Sequence, residues 1–287
     1  MYGPLIDQIS ETLGLGGPWE RSTSGTMIVC LSADAAIKLF PAFERQAFEI
    51  ERAVLAKVDG ELGIPTPKLL HEGTVLDWSY LVMTRLAGAP IDDVWPTLDP
   101  ASRRQILRTL GAAVRRMHAL DAAGLEALDD DFASFRAACL AACTAKEARA
   151  GLASPWREQH AAYLQQPFEE RRVTPRLLHT ELGPGHVWVE DGQVTGLFDF
   201  ADARLGDPEY DFAAVGLFIT RGDAAAFGAF LDGYGTPVEE RNPALQDRLL
   251  RHALLHRYGS LAWYLKKLRP EAVSLPDLAA CWFDPSG

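Results

Sequence analysis

The sequence predicts an α+β protein with two lobes: a small antiparallel β lobe with one helix, and a larger lobe that is mainly α-helical. Short apolar runs separated by turn residues predict strands across much of residues 19–86. Beyond residues 86–88 the composition changes, and longer segments carry apolar side chains at the spacing of a helix face. We therefore place the two lobes at residues 1–86 and 87–287.

The length and composition are typical of a globular protein. The chain has 287 residues, of which 48% are hydrophobic and 23% charged. No apolar run approaches the ~20 residues of a membrane-spanning helix, and the first residues lack the pattern of a signal peptide. The four cysteines show no metal-type spacing, and Cys139 and Cys143 fit one buried helix face. We expect a cytoplasmic monomer or homodimer with no membrane partner.

The formal net charge is −11. Binding to a nucleic acid requires basic stripes that neutralise phosphates, so we expect no nucleic-acid partner. An acidic cleft would concentrate a cationic small molecule, but solubility alone also explains acidity. Both interpretations of the charge stay open.

The small lobe begins with a predicted amphipathic helix over residues 4–13, which glycines terminate. A turn-rich loop covers residues 21–26. Four strands are then predicted over residues 27–31, 35–40, 68–72 and 78–85. Between the second and third strands, apolar residues at helical spacing predict a helix over residues 42–58.

The large lobe is predicted to be helical apart from one hairpin. Asp99 before Pro100 has the pattern of an N-cap followed by proline in the first turn. The predicted helices cover residues 100–119, 132–150, 156–166, 211–220, 224–234 and 243–268.

Most of the candidate chemistry lies in residues 177–212. An Asp-Gly pair at residues 191–192 stands between two apolar runs and predicts a hairpin. The loop before the hairpin holds Glu181 and His186, and the second run leads to Asp199. A carboxylate at the end of an apolar strand is costly unless it is paired or metal-bound. The hairpin therefore brings together three groups able to bind a metal or move a proton.

Together with Lys38, this segment resembles the aminoglycoside phosphotransferase family, which has a bilobal, protein-kinase-like fold. The resemblance rests on three motifs, which are His179-Thr180-Glu181-x4-His186, Phe198-Asp199-Phe200 and Gly206-Asp207-Pro208-x-x-Asp211. The family usually writes the first motif as His-Gly-Asp-x4-Asn, so the catalytic loop of this chain is atypical. The resemblance implies an antibiotic-modifying type of enzyme, a kinase that moves the γ-phosphate of ATP or GTP to a hydroxyl of a small molecule.

The resemblance also implies which residues of the small lobe bind the nucleotide. Lys38 would reach the α- and β-phosphates and would be held by Glu51 on the following helix. Glu49 is also available, but residues two apart on a helix point in different directions. The distance along the chain from the glutamate to the break at residues 64–65 favours Glu51. Taken alone, Lys38 could equally be a charged residue on an edge strand.

Two further parts of the nucleotide site are implied. Ser24, in a loop of small residues, would cover the phosphates through backbone N–H groups. Thr84 and Leu86 would offer hinge backbone groups to the base, although a buried strand explains them as well. The sequence contains no GxxxxGK[ST] motif, which excludes a Walker-type phosphate loop.

For the catalytic loop, the resemblance implies that Asp199 binds Mg²⁺ and that Glu181 orients or deprotonates the acceptor hydroxyl. The extra methylene of glutamate, relative to aspartate, displaces the carboxylate by roughly 1.5 Å. His186 takes a metal-binding position, where it would ligate the metal directly, act through a water, bind a phosphate or hold the loop. A transition-metal site formed with His179 is the other interpretation, but the HExxH spacing is absent.

The acceptor would lie between the catalytic loop and the helices of the large lobe. Candidate binding groups there are Asp202, Glu209, Asp223, the run at residues 129–131, and the aromatic pair Trp263 and Tyr264. An aminoglycoside is the first expectation, and a macrolide, a sugar or another hydroxylated natural product fits equally well. We assign structural roles to Asp207, Asp211 and His118. The alternative is a catalytically weak or silent kinase-like protein that binds a nucleotide or a small ligand.

Overall fold

The computed structural model describes residues 2–23, 25–128, 131–166, 173–268 and 271–284. An antiparallel five-stranded sheet is followed by a mainly helical region, so the predicted α+β class is confirmed. Within the described residues, no helix combines the length and the apolar character needed to cross a bilayer.

The five-stranded sheet has the order β1-β2-β3-β5-β4, and all its neighbouring strands are antiparallel. The strands are β1 (Glu20–Arg21), β2 (Ile28–Leu31), β3 (Ala35–Phe40), β4 (Leu69–Val75) and β5 (Trp78–Thr84). Side chains alternate along β3, whose residues are all buried. Ile37 and Leu39 pack with the first helix, α1 (Gly3–Leu13). Lys38 consequently points to the opposite face of the sheet.

That opposite face is covered by α2 (Arg45–Val58), which is preceded by a short 3₁₀ turn at Ala42–Glu44. Apolar side chains of α2 such as Val54 and Leu55 share one hydrophobic cluster with Leu81 of β5 and with the helical region. The cleft that contains Lys38 therefore lies between the sheet, α2 and the helical region.

Helices make up most of the chain after the sheet. They are α3 (Ile91–Val94), α4 (Pro100–Ala119), α5 (Phe132–Arg149), α6 (Trp156–Leu164), α7 (Glu209–Ala214), α8 (Ala224–Tyr234), α9 (Pro243–Leu254), α10 (Leu261–Leu268) and α11 (Leu275–Phe283), with a π-helical segment at Val215–Thr220. Asp99 caps α4 by accepting hydrogen bonds from the N–H groups of Ala101 and Ser102, as predicted. α4 packs against α8 at Gly111 and Gly233, where an added Cβ would collide with the facing backbone.

Five short strands in the same region support the catalytic loop. They are β6 (Ala89–Pro90), β7 (Arg176–Leu178), β8 (Val187–Glu190), β9 (Gln193–Leu197) and β10 (Arg204–Gly206). The predicted hairpin is confirmed as β8 and β9, and its turn residues Asp191 and Gly192 both have positive φ. β7 pairs with β10, so the residues before and after the hairpin are held side by side.

The prediction of one helix over residues 243–268 is wrong, because α9 ends at Leu254 and α10 begins at Leu261. The buried Glu147 accepts hydrogen bonds from the N–H groups of Leu261 and Ala262, which fixes a new helix start. Lys146 donates to the carbonyl of His256 inside the break. Contacts with α5, distant in sequence, thus override the local helical pattern.

Candidate active site

Lys38 and Glu51 meet in the cleft because β3 and α2 face each other. Lys38 Nζ lies 2.6 Å from Glu51 Oε2 and 2.7 Å from Asp199 Oδ1. Burial lowers the pKa of Lys38, but the two carboxylates outweigh it and raise that pKa, so Lys38 stays charged. Burial raises the pKa of Glu51 to about 7, against the opposing charge of Lys38. Glu49 instead points to the surface, where it pairs with Arg45 and Arg52.

Asp199 follows β9 and turns back towards Lys38. Its φ is 69°, a left-handed conformation that aspartate adopts more readily than most residues. Burial raises its pKa, but the charges of Lys38 and His186 dominate and lower the pKa of Asp199 to about 2. Asp199 is therefore an ionised carboxylate at neutral pH.

Asp211 of α7 fastens the start of the catalytic loop. Its fully buried carboxylate accepts hydrogen bonds from the N–H groups of His179, at 2.9 Å, and Thr180, at 2.8 Å. His118 Nε2 lies 3.0 Å from the same carboxylate. These contacts agree with the structural roles assigned to Asp211 and His118, since neither side chain is available to a ligand.

His179 connects the catalytic loop to the strand that carries Asp199. Its Nε2 lies 3.0 Å from the carbonyl of Phe198, to which it donates, and its Nδ1 accepts from the N–H of Glu181. Burial lowers the pKa of His179 to about 4, so the ring is neutral and keeps this tautomer. His179 consequently positions the loop and has no free nitrogen for a metal.

His186 lies between Glu181 and Asp199. Its Nδ1 donates to the carbonyl oxygen of Glu181 at 2.7 Å, and its Nε2 lies 3.6 Å from Asp199 Oδ2. Three potential ligand atoms lie within 4.8 Å of one another, one each from the side chains of Glu181, His186 and Asp199. The Asp199 carboxylate and an imidazole fixed through its second nitrogen, with the Glu181 side chain beside them, form a donor set able to hold a divalent cation.

Glu181 faces a second carboxylate, Asp202. The pKa of Glu181 is raised to about 8, most of all by burial and then by the charges of Asp202 and Asp199. Asp202 is itself held by Arg257 Nη1 at 2.5 Å and by the hydroxyl of Tyr258 at 2.6 Å. Glu181 is therefore largely protonated at neutral pH and becomes a carboxylate base above it.

Two cavities lie on either side of the catalytic loop and share Gly185 and His186 in their walls. The first has a volume of about 360 Å³ and is lined by Lys38, Glu51 and Asp199 together with residues of β2 and β5. The second has a volume of about 340 Å³ and is lined by Glu181 and by aromatic residues of the helical region. The loop can therefore contact one ligand on each side.

The remaining residues that we expected to bind the nucleotide lie around the first cavity. Thr84 and Leu86 are in its wall, and the Thr84 N–H is already bonded to the carbonyl of Lys68. The Thr84 N–H is therefore not available to a ligand. Ser24 lies outside the described residues, while Gly25 and Thr26 line the cavity.

The structure brings only part of the expected acceptor site to the loop. Asp202 and Trp263 lie near Glu181, in the walls of adjacent cavities. Tyr264 is fully buried, with its hydroxyl bonded to the carbonyl of Ala253, so our expectation that it meets the acceptor is wrong.

The other acidic candidates have structural partners. Glu209 pairs with Arg248, and Asp223 caps α8. Of the run at residues 129–131, only Asp131 is among the described residues, and it caps α5.

Sequence reasoning missed Arg257 and Tyr258, which hold Asp202 beside Glu181. Both lie in the break between α9 and α10, which our prediction of a continuous helix concealed. Gly259, next to them, was the available signal, because glycine is a poor residue for a helix interior.

Comparison with known proteins places the chain in a family. A family model described as the phosphotransferase enzyme family matches residues 22–245. A mutant of aminoglycoside 2′-phosphotransferase-IIIa in complex with GDP is similar, with a TM-score of 0.71 and 17% identity over 93% of this chain and 95% of that one.

Two further solved structures have the same fold. Macrolide 2′-phosphotransferase MphH from Brachybacterium faecium has a TM-score of 0.62 and 22% identity over 100% of this chain and 99% of that one. A streptomycin–ATP complex of an aminoglycoside 2″-phosphotransferase has a TM-score of 0.65 and 12% identity over 96% and 98%. Identities this low show a common fold alone, whereas the family model covers most of the sequence. The chain therefore belongs to the phosphotransferase enzyme family.

Proposed function

We propose that this protein transfers the γ-phosphate of ATP or GTP to a hydroxyl group of a small molecule. The observation that supports this most is the position of the catalytic loop between two cavities, with Lys38, Glu51 and Asp199 on one side and Glu181 on the other. A phosphotransferase needs such a division, because the donor and the acceptor must meet at one point from opposite sides.

The nucleotide occupies the cavity beside the sheet. Lys38 contacts its phosphates, and Glu51 holds the ammonium in place. The carbonyl of Thr84 and the N–H of Leu86 are offered to the base, since no hydrogen bond from Leu86 N–H forms within the described part of the chain. Domain limits of 1–86 and 87–287 put the phosphate-binding and base-binding residues on the first lobe and the catalytic loop on the second.

The donor set at the loop fits a divalent cation, with Asp199 and His186 as its ligands and Glu181 within reach. Ionised Asp199 is suited to Mg²⁺, which prefers carboxylate oxygen. When bound, such a cation neutralises negative charge on the transferred phosphate. The Glu181 carbonyl accepts a hydrogen bond from His186 Nδ1, which fixes the tautomer of the ring. The other ring nitrogen, Nε2, is directed towards Asp199.

Glu181 acts as the base for the acceptor hydroxyl. The hydroxyl oxygen forms a bond to the γ-phosphorus as the bond from that phosphorus to the β–γ bridging oxygen breaks. A nucleoside diphosphate leaves, and the proton of the hydroxyl passes to the Glu181 carboxylate. The raised pKa of Glu181, about 8, makes its carboxylate a stronger base than an ordinary glutamate.

The proposal is tested by measuring nucleotide consumption with a panel of aminoglycosides and macrolides. Wild type is expected to release nucleoside diphosphate only with a suitable acceptor, whereas Asp199→Ala releases none. Glu181→Gln is expected to bind nucleotide normally but to lose transfer. Tight nucleotide and acceptor binding without turnover would instead identify a silent kinase-like binding protein.

A further inference from the structure

Three cavities lie in a row that begins at the catalytic loop, and each shares lining residues with the next. The cavity of about 340 Å³ beside Glu181 shares Phe218, Tyr258 and Trp263 with a neighbouring cavity of about 220 Å³. The second shares Lys146 with a third cavity of about 540 Å³, which extends between α5 and α2. We call this row of cavities the acceptor trough. Single ligand pockets span about 300–1,000 Å³, and the third cavity alone lies in that range, so the row offers room for an acceptor with several rings.

Acidic and basic side chains line the trough in equal number, although the whole chain carries a net charge of −11. Its acidic side chains are Glu44, Asp92, Glu181 and Asp202. Its basic side chains are Lys146, Arg204, Arg221 and Arg257.

Two of the four carboxylates are already engaged by arginines of the trough itself. Asp92 pairs with Arg221 and Asp202 with Arg257, each at 2.5 Å. A ligand with several ammonium groups would have to break these pairs to gain partners, so the acidity of the chain does not favour such a ligand here.

Lys146 is the distinctive charge of the trough. It lies where the second and third cavities meet, and its Nζ donates to the carbonyl of His256 at 2.7 Å. An ammonium has three donors, and no carboxylate among the described residues forms an ion pair with this one. Lys146 therefore repels ammonium groups, while its free donors suit carbonyl, ether or hydroxyl oxygens of a ligand.

One wall of the trough is aromatic. Tyr258 is 51% exposed and Trp263 is 40% exposed, and the rings of Phe218 and Trp263 lie 6.1 Å apart. Exposed aromatic rings inside a concave site favour ligands with an extended apolar face. This wall is the first surface that an acceptor meets beyond Glu181.

We infer that the acceptor is a large hydroxylated molecule with an apolar face and at most one positive charge, and that Lys146 is a specificity-determining residue that excludes polycations. This inference rests on the proposed function, since it assigns the trough to the acceptor of that reaction. It narrows the acceptor to molecules of macrolide type, as opposed to aminoglycosides.

Calorimetric binding without nucleotide tests the inference separately from catalysis. The probes are a macrolide that carries one amino group and kanamycin, which carries several. Wild type is expected to bind the macrolide at least about tenfold more tightly than kanamycin at physiological salt. Lys146→Glu is expected to strengthen kanamycin binding about tenfold, because a repulsive charge becomes an attractive one.

Arg149→Glu is the matched control, since Arg149 is an exposed residue of the same helix and makes the same change in charge. It is expected to change kanamycin binding by less than about twofold. Lys146→Met keeps most of the side-chain stem and removes the charge, so it replaces Lys146→Glu if circular dichroism shows that the latter is unfolded. The Met variant is expected to bind kanamycin more tightly than wild type.

Three results would overturn the inference: tighter binding of kanamycin than of the macrolide by wild type, no binding of either probe, or equal effects of the Lys146 and Arg149 substitutions. Failure of the proposed function has a different signature. In that case the binding preference is as described, but no nucleotide is consumed with either probe.

Discussion

Replacing Asp202 by asparagine should shift the pH dependence of phosphoryl transfer to lower pH. Burial raises the pKa of Glu181 most, and among neighbouring charges Asp202 contributes more than Asp199, which together bring that pKa to about 8. Removing the Asp202 charge makes the Glu181 proton easier to lose. The pKa of Glu181 must therefore fall, and its carboxylate form must become more abundant at neutral pH.

The size of the effect follows from the fraction of Glu181 that is ionised. With a pKa of about 8, about one tenth of Glu181 is a carboxylate at pH 7 and about half at pH 8, so the wild-type rate should rise about fivefold between them. A nearby carboxylate typically changes a pKa by about one unit or more. A fall of that size in Asp202→Asn would raise the rate at pH 7 about fivefold and leave the rate above pH 9 nearly unchanged.

The assay is kcat/KM for the acceptor, measured by nucleoside diphosphate release between pH 6 and 10 under saturating nucleotide. Asp7→Asn is the control, because Asp7 is an exposed residue of α1 far from the loop. It removes one negative charge and should leave the profile unchanged. A wild-type profile that is flat through this range, or an Asp202→Asn profile with the same midpoint as wild type, would refute the role of Glu181 as the base.

Two further predictions concern the groups that support the site. Glu51→Gln should lower kcat/KM for the nucleotide at least about tenfold, because it removes the buried charge that holds Lys38, whereas Glu49→Gln on the exposed side of α2 should change it less than about twofold. Equal effects of the two substitutions in nucleotide titrations would contradict this role. Asp211→Asn should lower the free energy of urea-induced unfolding at pH 7 by about 3 kcal/mol, because two buried N–H groups and His118 lose an ionised acceptor. Burial raises the pKa of Asp211, but its hydrogen bonds, chiefly that with His118, outweigh burial and lower that pKa. This stabilisation is therefore fully present above the unfolded pKa of about 3.9 and is lost progressively as the pH falls through the lower folded pKa. A difference from wild type that is as large at pH 3 as at pH 7 would contradict the assignment.

The sequence predicted the strands and helices whose turn residues, caps and apolar faces lie within or next to the element itself. The hairpin of β8 and β9 follows from an Asp-Gly turn between apolar runs, and α4 follows from its N-cap and its apolar face. Strands β7 and β10 have three residues each, so their pairing left no periodic pattern in the sequence to detect. The start of α10 depends on Glu147, more than a hundred residues earlier in the chain, which no local pattern reports.

The candidate site likewise combines residues that the sequence predicted with interactions that it could not predict. Lys38, Glu51 and Asp199 were chosen from residue type, strand position and resemblance, and the structure places both carboxylates in direct contact with Lys38. The raised pKa of Glu181 depends on Asp202, and Asp202 depends on Arg257 and Tyr258 from the helix break. These groups come together only after the chain has folded, so the electrostatics of the acceptor side could not be derived from the sequence.

Transfer of phosphate to an acceptor is the central claim, and ³¹P nuclear magnetic resonance tests it directly. The protein is incubated with ATP or GTP, magnesium and each macrolide or aminoglycoside in turn, with Asp199→Ala as the comparison. We predict a phosphomonoester signal on an acceptor with wild type and none with Asp199→Ala, which should retain the wild-type circular dichroism spectrum. Inorganic phosphate as the sole product with every acceptor, or equal phosphomonoester yields from both proteins, would contradict the account.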